Sequence, residues 1–87
     1  MTIYLAERHL PGITVEGLMV IQKTTIEMSQ RFTTEGKPVR YLRSVFVPSE
    51  SRCLSLFEAE NAVLVRDVNE AAQIPFTRIV EALDFIP

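Results

Sequence analysis

The chain has 87 residues, of which 47% are apolar, and a formal net charge of −2 with a sequence pI near 5.3. This size predicts one domain over residues 1–87, and the acidic balance argues against a nucleic-acid-binding protein, which would carry a basic stripe. The single cysteine, Cys53, rules out an internal disulfide and favours a cytoplasmic location. No apolar run reaches the ~18 residues of a membrane span, so we expect neither nucleic acid nor a membrane as a partner.

The first predicted elements are a strand and a helix. Alternating apolar residues predict a strand over Thr2–His9, and a Pro-Gly turn follows it. Thr14 is the predicted N-cap of the helix, because its hydroxyl can accept a hydrogen bond from an early backbone N–H. We expect the helix to end before Gly36. Its inward face follows spacings of three and four residues: Leu18, Ile21, Thr25, Met28 and Phe32.

The second half of the chain predicts a hairpin, a helix and a last strand. Val39–Val47 is rich in β-branched and aromatic residues, and a short polar turn separates it from a further strand, Arg52–Ala59. Asn61 is the predicted N-cap of the second helix, which ends at Ile74-Pro75. The residues from Thr77 to Ile86 return to strand character. The inward face of this helix is predicted to hold Leu64, Val65, Val68, Ala71 and Ala72.

The predicted order β-α-β-β-α-β is that of the ferredoxin-like α+β fold. We expect a four-stranded antiparallel sheet in which the first and third strands lie side by side at the centre. Right-handed crossovers lead us to expect these two central strands to run parallel to each other. Both helices cover one face of the sheet. The opposite face, called the open face below, needs a partner, and a second copy of the chain can supply it.

Alternate positions along the strands separate into two faces of the sheet. The set expected beneath the helices combines small residues with two phenylalanines: Ala6, Ser44, Phe46, Cys53, Ser55, Phe57, Ala59 and Ala82. The polar residues expected on the open face are the candidate ligand-binding residues: Glu7, His9, Tyr41, Arg43, Glu58 and Glu81. We expect all of these except Tyr41 to converge at one mouth of the face. A slip of one residue in register would exchange the two faces.

Four segments, taken in order, resemble the motifs of a known family over nearly the whole chain. The opening pattern is Glu-Arg-x-Leu-Pro-Gly-hydrophobic-Thr, and the third is Cys-x-x-aromatic-Glu-Ala. The matching segments are Glu7–Thr14, Leu42–Ser44 with Val47-Pro48, Cys53–Ala59, and Ile74-Pro75 with Ile79–Glu81. The chain is therefore similar to a small bacterial domain-of-unknown-function family whose best-described relatives are nickel-binding, nickel-responsive proteins.

This resemblance implies a ferredoxin-like fold and a homodimeric α/β barrel in which two sheets pack face to face. It also implies nickel as the candidate metal, because the metal-binding relatives carry histidines near the end of the first strand and in or after the second helix. Here the second helix has no histidine. His9 is thus the one candidate imidazole ligand, and two copies of it can contribute in a dimer.

The candidate site residues have distinct predicted roles. Three carboxylates at one mouth repel each other, which is expected to raise one pKa towards neutrality and so make a proton acceptor. Glu7 and His9 are the candidate catalytic residues. Arg43 is expected to neutralise a carboxylate or hold an anion, with Arg8 and Arg40 at the rim. Cys53 is predicted to be a buried structural thiol.

The residues are compatible with three classes of function. The first is a homodimeric cytoplasmic protein that binds a small polar ligand or a metal ion at the sheet face. The second is an enzyme similar to the cofactor-free isomerases or monooxygenases of the dimeric α/β-barrel type. The third is a structural or regulatory module that uses the open face only for association.

Overall fold

The structure, a computed structural model, describes residues 1–87 and has the predicted order of elements. The elements are β1 (Thr2–His9), α1 (Val15–Thr34), β2 (Val39–Val47), β3 (Arg52–Ala59), α2 (Ala62–Ala71) and β4 (Arg78–Ala82). The bounds of β1, β2 and β3 are those predicted, and a single 3-10 turn joins β2 to β3. The last strand is shorter than predicted, because the chain leaves the sheet after Ala82 and does not continue as a strand to Ile86.

The strands form one sheet in the order β2-β3-β1-β4, and every neighbouring pair is antiparallel. The fold is therefore ferredoxin-like, with two helices on one four-stranded sheet. The prediction that β1 and β3 run parallel is wrong. The crossover through α1 gives β2 the direction of β1, and the β2–β3 hairpin then reverses it. The carboxyl ends of the two central strands consequently lie at opposite ends of the sheet along the strand direction.

Local sequence signals set where the helices begin. The Thr14 hydroxyl accepts a hydrogen bond from the backbone N–H of Gly17 at 3.0 Å, and Asn61 Oδ1 accepts from Leu64 N–H at 3.0 Å, so both predicted N-caps are confirmed. After α1 the chain turns at Gly36, whose φ of +85° is readily reached only without a side chain. Neither helix combines the length and the apolar character that crossing a membrane requires.

The core lies between the sheet and the two helices. Alternate residues of β1 and β3 point into it, and the alanines among them let the helices approach the sheet closely. Met28 and Phe32 of α1 pack against its edge, as the spacing of the helix predicts. The buried apolar members are Tyr4, Ala6, Val39, Phe57, Ala59, Val65 and Val68.

Residues opposite each other in a ladder share a face of the sheet. The observed register therefore moves Tyr41 and several residues of β4 away from their predicted faces. A bulge between Tyr41 and Arg43 places Tyr41 opposite Phe57, on the helix side instead of the open face. In β4, Glu81 lies opposite Tyr4 on the helix side, and Ala82 lies opposite Ile3 on the open face. The β4 pattern is apolar on both faces, so alternation alone did not specify its register.

The residues after β4 form an extended tail that returns towards the far edge of the sheet. Asp84 forms an ion pair with Arg43 of β2, although β2 and β4 are the two outermost strands. The apolar side chains of this tail remain exposed, with Phe85 at 87%. The tail thus adds exposed apolar surface beside the open face.

Candidate functional site

The candidate residues do not converge at one end of the open face, because the two central strands are antiparallel and place these residues at different positions along the sheet. Glu7 lies opposite Leu54, near one end of the sheet, whereas Glu58 lies opposite Ile3, near the other end. The prediction that Glu7, His9, Arg43, Glu58 and Glu81 converge is therefore wrong. The candidate residues occur instead in separate places, described in turn below.

The first place is an ion-pair cluster on the open face, formed by Glu7, Arg52 and Arg78 and called the Glu7 cluster below. Arg52 Nε donates to Glu7 Oε2 at 2.7 Å, and Arg78 Nε donates to Oε1 at 3.2 Å. Arg78 is the direct ladder partner of Glu7, and Arg52 is its diagonal neighbour on β3, within reach of a long side chain. One carboxylate therefore holds two guanidinium groups in position.

The electrostatics of this cluster reverse one prediction about Glu7. The hydrogen bond from Arg52, together with the two nearby positive charges, lowers the pKa of Glu7 from its ordinary value near 4.5. The upward pKa shift expected for one of the three carboxylates does not occur at Glu7, because neither Glu58 nor Glu81 is close enough to repel it. A general base works best when its pKa lies near the working pH, so this carboxylate is poorly suited to proton abstraction at neutral pH.

His9 is exposed at the end of β1, directly opposite Arg52. It lines a shallow pocket of about 190 Å³ together with Glu7, Glu50, Arg52 and Thr77. No group of three His, Cys, Asp or Glu side chains lies close enough together to hold a metal ion. The donor set of one chain therefore does not fit a nickel site.

Arg43 and Glu81 lie outside the Glu7 cluster, Arg43 on the open face opposite Leu56 and Glu81 on the helix side opposite Tyr4. Arg43 is neutralised by Asp84 of the tail, so its predicted carboxylate partner is one that sequence reasoning did not choose. Glu81 lines a depression between the start of β1 and the tail, with Leu83 and Phe85 among its other walls. Arg43 and Glu81 therefore lie on opposite faces of the sheet and do not form one site.

Another place is a groove between α1 and β2, with a volume of about 750 Å³. Tyr41 and Glu58 are both among its lining residues, although the ladder places them on opposite faces of the sheet. Burial raises the pKa of the Tyr41 hydroxyl, which stays protonated at neutral pH. Its ring packs edge-on against Phe57 with 5.7 Å between the ring centres.

Arg8 was expected at the rim of the open face. It lies instead on the helix side of the sheet and is 0% exposed. Its Nη1 donates to the carbonyl of Pro75 at 3.1 Å, its Nε lies 3.4 Å from Ser55 Oγ, and its Nη2 has no partner. Burial lowers its pKa, although a guanidinium stays charged at neutral pH. Cys53, the ladder partner of Arg8, is buried as predicted.

Arg52 and Arg78 were absent from the predicted site residues. Arg52 has the same parity as Leu54 and Leu56, so strand alternation already placed it on the open face. Arg78 was missed because the predicted faces of β4 were shifted by one residue. Both arginines stand at the first position of their strands, where a charged side chain is easily interpreted as part of the preceding turn.

Known proteins support the family resemblance and the fold. The crystal structure of SCO4226 from Streptomyces coelicolor A3(2) is similar with a TM-score of 0.81, covering 97% of this chain and 99% of that one. The sequence identity is 19%, so this likeness shows the fold alone. No curated protein matches the sequence. A family model described as nickel responsive protein SCO4226-like matches residues 4–82, and the chain therefore belongs to the SCO4226-like family.

Proposed function

We propose that this protein is a homodimeric binding protein that holds a small anionic ligand at the Glu7 cluster. The observation that carries the proposal is the arrangement of two arginines around one carboxylate on the sheet face opposite the helices. The face-to-face dimer would enclose this cluster and exclude water from it, which strengthens electrostatic interactions with a ligand. The buried free thiol of Cys53 fits a reducing cytoplasm as the location of such a protein.

The apolar side chains of the open face support the dimer. Ile3, Leu5, Leu54 and Leu56 sit on the two central strands and are only partly covered, and Val45 on β2 is 55% exposed. A contiguous apolar surface of this kind, with a polar region at one end, marks an interaction site more often than a free surface. The exposed tail residues Leu83 and Phe85 extend the same surface.

The unused hydrogen-bond donors of the two arginines support an anion as the ligand. Arg78 contacts Glu7 through Nε alone, so both of its terminal nitrogens remain free. Arg52 places one terminal nitrogen 3.6 Å from Glu50, a weak contact that a ligand can replace. A guanidinium binds carboxylates and phosphates through two parallel hydrogen bonds, which this geometry permits. Glu7 holds the arginines in place and would not itself contact the ligand.

Titration calorimetry with malonate and with inorganic phosphate tests the ligand. We expect binding of at least one probe that Arg78→Gln weakens tenfold or more, with Arg66→Gln, an exposed arginine of α2, as the matched control. Light scattering on the same samples tests the dimer, which Val45→Asp should dissociate. A persistent wild-type monomer at micromolar concentration, or equal binding by the two arginine variants, would refute the corresponding part of the proposal.

Nickel is the second candidate ligand, and the observation that favours it is membership of the SCO4226-like family. Because one chain does not offer a nickel donor set, such a site would need His9 from both copies of a dimer. Native mass spectrometry of protein purified without a tag or chelator, followed by nickel titration, separates the two candidates. A stoichiometric nickel dimer that His9→Ala abolishes would favour nickel. A metal-free dimer that binds malonate or phosphate would favour the anion.

The enzyme alternative receives no support from the site. Its proposed base, Glu7, is held ionised by two arginines, and His9 is exposed at a strand end. Neither group lies in an enclosed pocket where a proton transfer would be shielded from water.

A further inference from the structure

The tail after β4, residues 83–87, passes across one end of the open face. Asp84 pairs with Arg43, and the ladder places Arg43 opposite Leu56 on that face. Both central strands lie between β2 and β4, so these outer strands are three strand spacings apart, roughly 14 Å. Two residues beyond Ala82 span only about 7 Å, so Asp84 lies over the central strands and the long Arg43 side chain reaches across to meet it.

The ion pair sets the direction in which the side chains of the tail point. The Asp84 side chain is 18% exposed and faces the sheet, whereas its neighbours Leu83 and Phe85 are 79% and 87% exposed. Successive side chains of an extended segment point in opposite directions, so anchoring one side chain on the sheet turns both neighbours away from it. Two large apolar side chains are therefore held outward, away from their own sheet.

The depression between the tail and the start of β1 has a volume of about 410 Å³. Met1, Ile3, Leu83 and Phe85 are among its walls, which are mainly apolar. The cores of protein interfaces are packed as closely as protein interiors. An apolar depression beside exposed apolar side chains is therefore typical of a surface that a second molecule completes.

A second copy of the chain fits this surface. In a dimer with two-fold symmetry the same patch meets itself, so each copy offers outward apolar side chains and an apolar depression that can receive them. Two sheets that approach through their open faces also bring the two tails between them. Arg43 already neutralises Asp84, so this approach buries no unpaired tail carboxylate.

We propose that the tails are contact elements of the homodimer. Each tail lies between the two sheets and packs Leu83 and Phe85 against the open face of the second copy. The ion pair between Arg43 and Asp84 positions the tail for this contact. This role rests on the dimer of the proposed function and is independent of the anion at the Glu7 cluster.

Sedimentation equilibrium measures the dissociation constant of the dimer for the wild type and for matched variants. Phe85→Ser should raise this constant about tenfold or more, because each dimer loses two buried rings. Val63→Ser is the control, since Val63 is 60% exposed on α2, on the other side of the sheet, and its replacement should leave the constant unchanged. Circular dichroism shows that both variants are folded. Equal constants for Phe85→Ser and Val63→Ser would overturn the proposal.

The response of Val45→Asp distinguishes the role of the tail from the existence of the dimer. A wild-type dimer that Val45→Asp dissociates and Phe85→Ser leaves intact would retain the dimer and overturn the role of the tail. A wild-type monomer at micromolar concentration would overturn both, and would leave the exposed tail to a different partner.

A double-mutant cycle tests the ion pair. Arg43→Gln and Asp84→Asn should each weaken the dimer, because a released tail has to be ordered again on association. The double variant should be no weaker than the weaker single variant, since the two residues act as one unit. Additive effects of the two substitutions would overturn the positioning role.

NMR on a dimer mixed from ¹³C-labelled and unlabelled chains tests the contact directly. We expect intermolecular nuclear Overhauser effects between the Phe85 ring and methyl groups of open-face residues such as Ile3, Leu54 and Leu56. A dimer in which the Phe85 ring shows no intermolecular effect would overturn the proposal.

Discussion

Replacing the buried arginine of β1 by an apolar side chain is expected to stabilise the protein. Arg8 is 0% exposed, and no carboxylate lies within 4 Å of its guanidinium. Arg8→Met keeps a long flexible side chain in the same space but removes the charge and all five N–H donors. The carbonyl of Pro75 that loses its donor belongs to an exposed residue, and Ser55 keeps its bond to Ser44 at 2.8 Å.

The size of the effect follows from two opposing contributions. An uncompensated buried charge costs about 3–5 kcal/mol, and this penalty disappears in Arg8→Met. The hydrogen bond from Nη1 to Pro75, at 3.1 Å, is lost, and a bond from a charged donor contributes about 1.5–3 kcal/mol. The free energy of unfolding should therefore rise by about 1–2 kcal/mol. With a urea slope of about 1 kcal/mol/M, the midpoint should rise by roughly 1 M or more.

Urea unfolding followed by circular dichroism, at one fixed protein concentration and pH 7, measures this change. Arg66→Met serves as the control, because Arg66 is exposed on α2 and its replacement should change the free energy of unfolding by about 0.5 kcal/mol or less. Arg8→Lys retains a buried charge and should be less stable than the wild type. A folded Arg8→Met protein with a lower midpoint would refute the reasoning, since it would show that the buried guanidinium is compensated.

Three further outcomes test other parts of the structure. Because folding lowers the pKa of Glu7, the ionised carboxylate stabilises the fold above pH 4.5, and this contribution is lost as the pH falls through the lowered value. The urea midpoint of the wild type should thus exceed that of Glu7→Gln at pH 7 and approach it near pH 3, and a constant gap would contradict this. Phe57→Ala, at a fully buried position, should lower the free energy of unfolding by about 3–5 kcal/mol in the same assay, and a loss below 1 kcal/mol would refute the assigned core. Asn61→Ala should cost about 0.5–2 kcal/mol through the lost N-cap, whereas Asn61→Asp, which keeps the accepting oxygen, should cost little.

The candidate site shows where sequence reasoning reached its limit. The open-face positions of Glu7 and His9 followed from alternation along β1, because the buried residues Tyr4 and Ala6 have the opposite parity. The grouping of Glu7 with Glu58 failed, since it depended on the relative direction of two strands that are far apart in the chain. The partners of Glu7 come from β3 and β4, and only the ladder register brings them together.

Local sequence patterns were sufficient to predict the order of the elements, the bounds of β1, β2 and β3, and both helix N-caps. These features depend on interactions between residues close in the chain, such as capping by Thr14 and the alternation of apolar residues. Four features depend on long-range contacts and could not be predicted in this way: the antiparallel pairing of the central strands, the bulge at Tyr41, the register of β4 and the burial of Arg8. The physical reason is that a strand pattern of period two defines two faces but neither the direction nor the register of the neighbouring strand. Those are selected by the path of the chain and by packing against the helices.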